Sequence, residues 1–584
     1  MQKKQTILVV ASLLVVVLSV TLAYFTAQII GKEKNVTINS ADLKIIFTDS
    51  DGAISGSNIE PGWSDTKTFT IENKSNETYK YNIVIQDLVN TFVTNGYLQY
   101  KITSTNGGYN MTEFKDVPKS SAPKDTILAY SVSIPVGVTQ SYTVEFKYSN
   151  DESVDQSDDM GKKLSGKLFI TEGTEQPTLL TQILNDNPTR STRSNNNNGT
   201  NDFATPLTTT TTGTLFKSTE SITGITDSPK EVYYYAGNTT NNWVKFGKTN
   251  KNECIYNGRT VLYFNGSSIE SVKNESQCLS SKICKLGDQY GVGETVTEDF
   301  CTSQGAEWTD QNAKWGTSNF YWRIIRTNHD SSIRLLYVGT SPDTTTGNIG
   351  ESTFNSLDDS PKYVGYKYGE DTSLDTIRNN TTDSTIKTFI DSWYKNNLIN
   401  YTKYLSTSAV YCNDRSEGTG QIYNYTSSPS SKFNFASYYR MDIETTGAKA
   451  NPSYNCTDIR DAFSVDNTSA KLDYPIALMT VDEIAFAGGV AFKKMNTPYA
   501  WFMSNSVGTK VSTDWRLLSP IYWDGSYSVV WRWVSSQAGL YSDYPVSNAL
   551  AVRPVISLKS CIKYSTGNGT YETPYEIVET SSGC

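Results

Sequence analysis

The sequence has almost no histidine: His329 is the only one among 584 residues. Because histidine is the usual general base of nucleophilic catalysis, the sequence alone supports no Ser-His-Asp system. His329 stands in an Asn-His-Asp stretch, which predicts a solvated turn residue. The paired carboxylates Asp358-Asp359 and Glu370-Asp371 stand in polar stretches and are expected to face solvent. We therefore predict no catalytic residues and a protein that is not an enzyme.

Positive charge is also scarce, because 51 Lys and Arg face 60 Asp and Glu, for a net charge of −9. Nucleic-acid affinity depends on Lys and Arg contacts to phosphate, so this balance excludes nucleic acid as a partner. The chain is instead rich in Thr, Ser, Asn and aromatic residues, with 38 Tyr. Strands favour β-branched and aromatic residues, which predicts a mainly β protein, long enough for two or more domains.

Cysteine is absent before Cys254, and the eight cysteines that follow show no Cys-x-x-Cys or Cys/His metal spacing. An even count without metal motifs favours disulfides, which form in oxidising compartments. Short loop closures favour a sequential scheme, one of many pairings that remain open. This scheme joins Cys254 with Cys278, Cys284 with Cys301, Cys412 with Cys456 and Cys561 with Cys584.

Charge is nearly absent from residues 7 to 30, which follow the basic pair Lys3-Lys4. This pattern predicts export through the Sec pathway, with Thr21-Leu22-Ala23 as a candidate cleavage site. Residues 1–30 are then a signal peptide, or an uncleaved N-terminal membrane anchor, because roughly 20 apolar residues span a bilayer. We expect an extracellular or cell-surface protein that touches the membrane only through this segment.

Residues 31–172 contain no cysteine and no helical pattern. Stretches such as 66–73, 79–88 and 98–105 alternate apolar and polar residues, as strands with one buried face do. Six or seven such strands predict an all-β antiparallel sandwich. Residues 173–215 are Asn, Thr and Ser with little apolar content, which predicts a disordered linker.

Residues 216–560 mix strand patterns with two helical ones and predict an α+β domain. Ile386, Phe389, Ile390 and Trp393 have helical spacing, and Thr480 with Glu483 forms a capping-box pattern. The Cys-rich stretch at about 247–319 separates two strand patterns, which indicates an insertion stapled by disulfides. Residues 561–584 predict a short disulfide-closed C-terminal hairpin.

Aromatic residues crowd the segment from 512 to 558. Tyr and Trp supply a large contact area at low rotamer cost and stack on sugar rings, so this segment is the candidate ligand-binding region. The candidate ligand-binding residues are Trp523, Tyr527, Trp531, Trp533, Tyr541, Tyr544 and Arg553. Trp515, Trp531 and Trp533 also have the spacing of core residues, and that alternative stays open.

Arg553 is a charge within an apolar strand pattern. A buried guanidinium needs carboxylate or carbonyl partners, and we expect Asp482 or Asp514 to serve. The alternative is that Arg553 holds an anionic ligand.

The N-terminal half resembles the camelysin/TasA-type exported proteins of Gram-positive bacteria, through Ala23-Tyr24-Phe25-Thr26 and the stretches 41–47, 59–85 and 134–149. The resemblance implies a jelly-roll-like sandwich, processing by a dedicated signal peptidase, and self-assembly into biofilm-matrix fibres. A metalloprotease activity is not implied, because no His-Glu-x-x-His motif occurs.

The C-terminal half resembles C-type-lectin-like domains of formylglycine-generating-enzyme type and of bacterial surface proteins. The likeness rests on Trp515-x-Leu517-x-Ser519-Pro520 and on residues 552–556, with upstream stretches such as 321–326. Formylglycine-generating enzymes use two reactive cysteines, onto which neither Cys561 nor Cys584 maps. The Glu-Pro-Asn and Trp-Asn-Asp signatures of calcium-dependent lectins are absent, so no cofactor is predicted, and a bound calcium stays an alternative that no motif supports.

Three functions follow as hypotheses. The first is a non-catalytic adhesin that binds a glycan or protein ligand on another surface. The second is a structural matrix or fibre subunit that assembles through the N-terminal sandwich. The third is an enzyme of formylglycine-generating type.

Overall fold

The computed structural model describes residues 59–584 apart from short gaps and, before residue 59, the backbone of three strands. The gaps are residues 152–153, 194–202, 204–214, 257–258, 265–268, 280–281, 287–288, 294–295, 345–346, 424–431, 442–449, 493–500, 504, 506–512, 537–538 and 542. The chain divides into two compact units, Met1–Gln176 and Pro177–Cys584. The predicted signal or anchor segment lies outside the described residues. Within the described part of the chain, no helix is long and apolar enough to cross a membrane.

The described part of the first unit consists of strands and one short 3-10 helix, Ser157–Asp159. The strands are β1 (Asn35–Ser40), β2 (Leu43–Asp49), β3 (Ala53–Ser55), β4 (Ser64–Asn73), β5 (Tyr79–Asn90), β6 (Leu98–Ser104), β7 (Lys115–Asp116), β8 (Ser120–Ile134), β9 (Thr139–Tyr148) and β10 (Leu164–Glu172). They form one antiparallel sheet in the order β1-β2-β4-β9-β6-β7 and another in the order β3-β10-β5-β8.

The two sheets of the first unit share one hydrophobic core. Alternate residues of β4 and β9 point into it, as their burial patterns show. Phe69 stacks on Tyr142 of the neighbouring strand, with ring centroids 4.7 Å apart. Tyr81 of the other sheet donates its hydroxyl proton to Gln140 Oε1 at 2.5 Å. The predicted strand-rich, antiparallel architecture is therefore present in this unit.

The second unit adds seven helices among its described residues. They are α1 (Leu179–Asp186), α2 (Glu275–Leu279), α3 (Glu298–Ser303), α4 (Leu374–Ile377), α5 (Thr385–Asn397), α6 (Ala436–Met441) and α7 (Val481–Phe486). Short 3-10 helices occur at Pro361–Val364, Ile399–Tyr404, Thr468–Ala470 and Trp501–Met503.

The strands of the second unit fall in three groups along the chain. The first group is β11 (Arg190–Thr192), β12 (Leu215–Glu220), β13 (Lys230–Tyr235) and β14 (Trp243–Lys248). The second is β15 (Glu253–Tyr256), β16 (Arg259–Phe264), β17 (Ile269–Ser271), β18 (Lys282–Leu286), β19 (Gln289–Val292), β20 (Glu307–Asn312) and β21 (Lys314–Gly316). The third is β22 (Asn319–Thr327), β23 (Ile333–Gly339), β24 (Glu351–Ser352), β25 (Lys367–Tyr368), β26 (Thr382–Asp383), β27 (Tyr411–Cys412), β28 (Phe433–Asn434), β29 (Ala462–Phe463), β30 (Ile476–Leu478), β31 (Trp515–Trp523), β32 (Ser528–Val534), β33 (Gly539–Tyr541), β34 (Leu550–Ala551), β35 (Pro554–Leu558), β36 (Tyr564–Thr566) and β37 (Glu576–Ile577).

Two sheets form the body of the second unit. One has the order β11-β12-β13-β22-β23-β35-β30, with β14 also paired to β22. The other has the order β24-β34-β31-β32-β33, with β28 paired to β31. Central strands such as β23 and β32 are buried along their whole length, which explains why their sequences are mostly apolar and aromatic.

The prediction of a disordered linker at residues 173–215 is wrong over part of that range. Residues 179–186 form α1, with Thr178 as the N-cap, and Leu179 and Ile183 are buried in the core of the second unit. Strand β11 then pairs parallel with β12. Two apolar side chains four residues apart let a polar segment bury one face of a helix, which overall composition does not reveal. Residues 194–202 and 204–214 lie outside the described residues.

Both predicted helices are present. Ser384 caps α5 by accepting from Lys387 N, and Ile386 and Ile390 are buried on its inner face. Thr480 and Glu483 form the predicted capping box at the start of α7. The predicted turn at residues 328–330 joins β22 to β23.

The Cys-rich insertion is a small module between β14 and β22. It has its own sheet, β20-β18-β19-β16-β15-β21, with β17 paired to β16. A separate core that includes Val261, Ile283 and Val292 holds it together. Its ends are tied by a hydrogen bond from Thr249 N to Ser318 O at 2.9 Å. The insertion therefore leaves and re-enters the body at one point, as the sequence predicts.

Candidate ligand-binding surface

The four predicted disulfides are all present. Cα atoms lie 5.3 Å apart in Cys254–Cys278, 5.6 Å in Cys284–Cys301, 5.8 Å in Cys412–Cys456 and 5.6 Å in Cys561–Cys584. No cysteine is free among the described residues. Two disulfides staple the insertion, and Cys561–Cys584 closes the C-terminal segment in which β36 pairs with β37. The disulfides indicate an oxidising, extracellular environment.

Half of the predicted ligand-binding aromatics are core residues instead. Trp531 is 0% exposed, Trp533 2% and Trp523 7%. The indole nitrogen of Trp531 donates to Ser437 Oγ at 3.0 Å, and Trp533 packs edge-on against Phe502 at 5.0 Å. The prediction that these three rings contact a ligand is wrong, because β31 and β32 are central strands covered on both faces. The core alternative, which the spacing of Trp515, Trp531 and Trp533 also favours, is the one observed, since Trp515 is 0% exposed too.

Three predicted residues lie at the rim of this sheet. Tyr544 is 39% exposed, and Tyr527 and Tyr541 are half-buried. Tyr527 follows the tight turn between β31 and β32, where Gly525 has a φ of 101°. Asp524 Oδ1 closes this turn by accepting from the backbone nitrogens of Ser526 and Tyr527 at 2.8 and 3.0 Å.

Tyr544 belongs to a polar cluster, with Arg532, Asp514 and Asp543, that the sequence analysis missed. The guanidinium of Arg532 lies 4.0 Å from the centroid of the Tyr544 ring. Its Nη1 donates to Asp514 Oδ2 at 2.7 Å, and its Nε and Nη2 donate to Asp543 Oδ1 at 2.9 and 2.7 Å. The Asp543 side chain is 57% exposed, and both hydrogen bonds from Arg532 go to its Oδ1.

Arg516 is a buried residue that holds the loop carrying Tyr544. It is 0% exposed, and its Nη1 and Nη2 donate to the carbonyl oxygens of Tyr544 and Asn548 at 3.2 and 3.0 Å. Burial and the neighbouring Arg532 lower the pKa of Arg516 to about 9. Because the Arg516 guanidinium donates to carbonyl groups of the loop that carries Tyr544, it holds that loop in one conformation. The sequence signal for these residues is a Trp-Arg pair that occurs in both strands, at residues 515–516 and 531–532. The structure pairs Arg516 with Arg532 across the two strands.

Arg553 is a structural residue, and both expected partners are wrong. It is 1% exposed and donates only to carbonyl oxygens, those of Gly347, Phe502 and Tyr337 at 3.0, 3.2 and 3.3 Å. Burial lowers its pKa to about 9. Asp482 binds Arg440, and Asp514 binds Arg532. Arg553 lies between β34 and β35, and its guanidinium donates to the carbonyl groups that neighbouring segments bring to it.

His329 is not a solvated turn residue, because its side chain is 9% exposed. Its backbone nitrogen donates to Glu220 Oε2 at 2.5 Å, and its Nδ1 lies 3.6 Å from the same oxygen. Of the paired carboxylates, Asp359 and Glu370 are exposed as expected. Asp358 and Asp371 are half-buried. Asp358 accepts a hydrogen bond from Ser547 Oγ at 2.5 Å, and Asp371 accepts one from the Tyr423 hydroxyl at 3.1 Å.

Glu220 and Glu483 anchor a buried ion network beside the main sheet. Arg326 donates to Glu483 Oε1 at 2.9 Å and to Glu220 Oε1 at 2.8 Å, and Arg334 donates to Glu483 Oε1 at 2.5 Å. Burial raises the pKa of Glu220, but the charge of Arg326 outweighs it and lowers the pKa to about 2. The neighbouring guanidinium groups therefore hold both carboxylates in the ionised form, since the pKa of Glu483 is lowered as well.

A polar cleft opens against this network. It encloses a cavity of about 20 Å³ lined by Arg326, Arg334, Cys412, Asp414, Arg440, Ser453, Tyr454, Asn455, Thr480, Asp482 and Ser519. Arg440 bridges its two carboxylates, with Nη1 2.7 Å from Asp414 Oδ2 and Nε 2.9 Å from Asp482 Oδ1. Tyr454 and Arg334 each carry a buried donor, the hydroxyl and Nε, without a hydrogen-bond partner among the described residues.

Asp383, Asp391 and Asp473 are the one group of carboxylates in the described chain with metal-like spacing, within 4.8 Å of one another. Lys387 Nζ lies among them, at 3.0, 2.6 and 2.8 Å. The Lys387 side chain is 0% exposed, so its ammonium is the counter-ion of the group. These residues do not support the calcium that the lectin resemblance raised.

Comparison of the chain with protein-family models, with curated proteins and with solved structures gives no match.

Proposed function

We propose that the chain is an exported bacterial surface protein whose second unit binds a glycan through the rim formed by Tyr527, Tyr541, Tyr544, Arg532 and Asp543. The observation that carries the proposal is the Tyr544 ring, 39% exposed and backed by a guanidinium that Asp514 and Asp543 hold in place. An exposed ring stacks on a sugar face, and the Asp543 oxygen beside it accepts from a sugar hydroxyl.

The export part of the proposal is supported by the four disulfides and by the basic and apolar N-terminal sequence. For the fold, two antiparallel sheets around one core support a jelly-roll-like sandwich of the camelysin/TasA type in the first unit. Sheets with a few short helices and long loops support a C-type-lectin-like fold in the second. Both resemblances are part of the proposal.

A glycan array probed with the purified full chain tests the binding function. We expect saturable binding to a subset of glycans that falls at least about tenfold in Tyr544→Ala, because a ring that stacks on the ligand at the centre of a binding surface contributes about 1.4 kcal/mol or more. Asp543→Asn should weaken binding while the variant stays folded.

Tyr571→Ala is the matched control, because Tyr571 is also exposed, at 36%, but lies in the C-terminal segment. Equal binding by Tyr544→Ala and the unmodified protein would contradict the proposal. Binding to a protein ligand instead, still lost in Tyr544→Ala, would keep the surface and change the ligand class.

A second candidate function, a fibre subunit, is favoured by strand β8. It is 15 residues long, lies at an edge of its sheet, and is exposed over residues 121–125. An unpaired edge is a template for strand addition. Electron microscopy of the protein, purified after export, should show filaments that a proline in place of Thr126 prevents. Particles of single-chain size at high concentration would exclude this function.

A further inference from the structure

The polar cleft contains two buried donors that the described protein leaves unused. Tyr454 is 5% exposed and Arg334 1%, and both line the cavity. The other nitrogens of Arg334 are engaged, Nη1 with Glu483 Oε1 and Nη2 with the Val410 carbonyl oxygen. Buried donors without partners are rare in folded proteins, since each loses its hydrogen bonds to water. An acceptor atom from outside the chain would satisfy both donors.

The charges around the cleft decide what kind of group fits. Three guanidinium groups and two carboxylates line it, those of Arg326, Arg334, Arg440, Asp414 and Asp482. The carboxylates repel an anion, and the guanidinium groups repel a cation. A neutral group that both accepts and donates a hydrogen bond matches the lining. A hydroxyl has this property.

The size of the cavity limits the ligand to one end of a larger molecule. A volume of about 20 Å³ holds little more than one water. A hydroxyl or hydroxymethyl group fits that space, and a sugar ring does not. The rest of such a ligand would lie outside the cleft.

The walls of the cleft are fixed before any ligand arrives. Tyr454 stacks on Phe486 with ring centroids 3.9 Å apart, and Arg326 lies 4.3 Å from the Tyr454 ring. The Cys412–Cys456 disulfide closes the segment that supplies Asp414 and Arg440. A preformed site loses little conformational entropy on binding.

We propose that this cleft binds a terminal hydroxyl group of a polyol or sugar. The hydroxyl oxygen accepts from Tyr454 and Arg334, and its proton is donated to Asp414 or Asp482. The cleft is lined by none of the residues of the Tyr544 rim, so this site does not depend on the proposed glycan-binding surface.

Titration of the full chain with glycerol and with methyl glucoside, followed by saturation-transfer NMR, tests the proposal. We expect saturable binding of at least one probe that weakens about tenfold in Tyr454→Phe, because this change removes only the hydroxyl donor. Tyr234→Phe is the matched control and should bind normally. Tyr234 is also buried, at 1% exposed, and its ring packs edge-on against Tyr454, but Tyr234 does not line the cleft.

Thermal unfolding of both variants checks that they are folded. Equal probe binding by Tyr454→Phe and the unmodified protein would overturn the proposal. Absence of saturable binding would also overturn it and leave the cleft as the site of a single structural water. Tyr544→Ala should keep probe binding here, so failure of this site and failure of the rim are separate results.

Discussion

At the scale of single residues, the second unit buries many charged side chains and supplies each with a defined partner. Arg415 is 0% exposed and donates to Asp461 Oδ1 at 2.7 Å. Arg323, at 3% exposed, has no carboxylate and donates to Asn242 Oδ1 and the Thr239 carbonyl oxygen at 2.6 and 2.7 Å. Removing one member of such a group leaves the other buried and unpaired, which costs more than the pair contributes.

Lys387→Met should be among the most destabilising single changes in the second unit. It leaves three neighbouring carboxylates, Asp383, Asp391 and Asp473, without the ammonium that separates their charges. We expect the free energy of unfolding to fall by about 3–5 kcal/mol, measured by urea denaturation.

Lys395→Met on the same helix is the control for this change, because Lys395 is exposed and its Nζ lies 5.5 Å from the centroid of the Tyr474 ring, in a cation–π contact. A loss of less than about 1 kcal/mol is expected there. Millimolar Ca²⁺ should restore part of the stability of Lys387→Met, since the three carboxylates then meet an external cation. Equal unfolding free energies for the two variants would contradict the role of Lys387.

At the scale of elements, one residue can both cap a helix and form ion pairs with strands far away in the chain. Glu483 completes the capping box of α7 by accepting from Thr480 N at 3.0 Å, and it also binds Arg326 of β22 and Arg334 of β23. The first contact is visible in sequence spacing, because it spans three residues. The contacts with Arg334 and Arg326 attach the helix to the sheet. They join residues that are 149 and 157 positions apart in the chain.

Glu220, at the end of β12, should make the free energy of unfolding of the second unit depend on pH. Burial raises its pKa, and the stronger effect of Arg326 lowers it from 4.5 to about 2. Its folded pKa is therefore depressed, so its contribution is present above about pH 4.5 and is lost as pH falls toward 2. Glu220→Gln should lower the free energy of unfolding by about 3 kcal/mol at pH 7.

Denaturant unfolding at several pH values measures this effect. The difference between Glu220→Gln and the unmodified protein should shrink steadily below pH 4.5. Glu231→Gln on the neighbouring strand β13, where the side chain is 52% exposed, should change little at any pH. A Glu220→Gln effect of the same size at pH 7 and at pH 2.5 would exclude the ion pair as its cause.

At the scale of the whole molecule, the two units differ in how they are held together. The first unit has no cysteine, and its core is a layer of aromatic and aliphatic side chains between two sheets. The second unit combines a large core with four disulfides and buried ion networks. Reducing agents should therefore act on the second unit alone.

Calorimetry with and without dithiothreitol should show one unfolding transition that shifts to lower temperature and one that does not. Cys412→Ser with Cys456→Ser removes a disulfide that closes a 44-residue separation, which typically costs 2–5 kcal/mol. Cys254→Ser with Cys278→Ser should affect mainly the insertion, which has its own core. A shift of both transitions on reduction would contradict this assignment.

Sequence patterns alone were sufficient for features that depend on neighbouring residues. Three such features are local, and the structure confirms them: the alternation in β4 and β9, the spacing of Ile386 and Ile390, and the Thr480–Glu483 capping box. The disulfide pairs were also predictable, because each closes a short separation. The sequence does not reveal helix α1 within the predicted linker, because the burial of Leu179 and Ile183 depends on a core that later residues contribute.

The residues of the candidate rim were also predictable only in part from the sequence. An aromatic-rich sequence determined that large rings would concentrate between residues 512 and 558, but not which of them would be outside. Trp531 and Trp533 are buried and Tyr544 is exposed because β32 lies in the middle of a covered sheet, whereas Tyr544 lies on the loop that Arg516 holds at its rim. Alternation along a strand depends only on neighbouring residues. Whether one or both faces of that strand are covered depends on elements far away in the chain, so only the tertiary structure decides it.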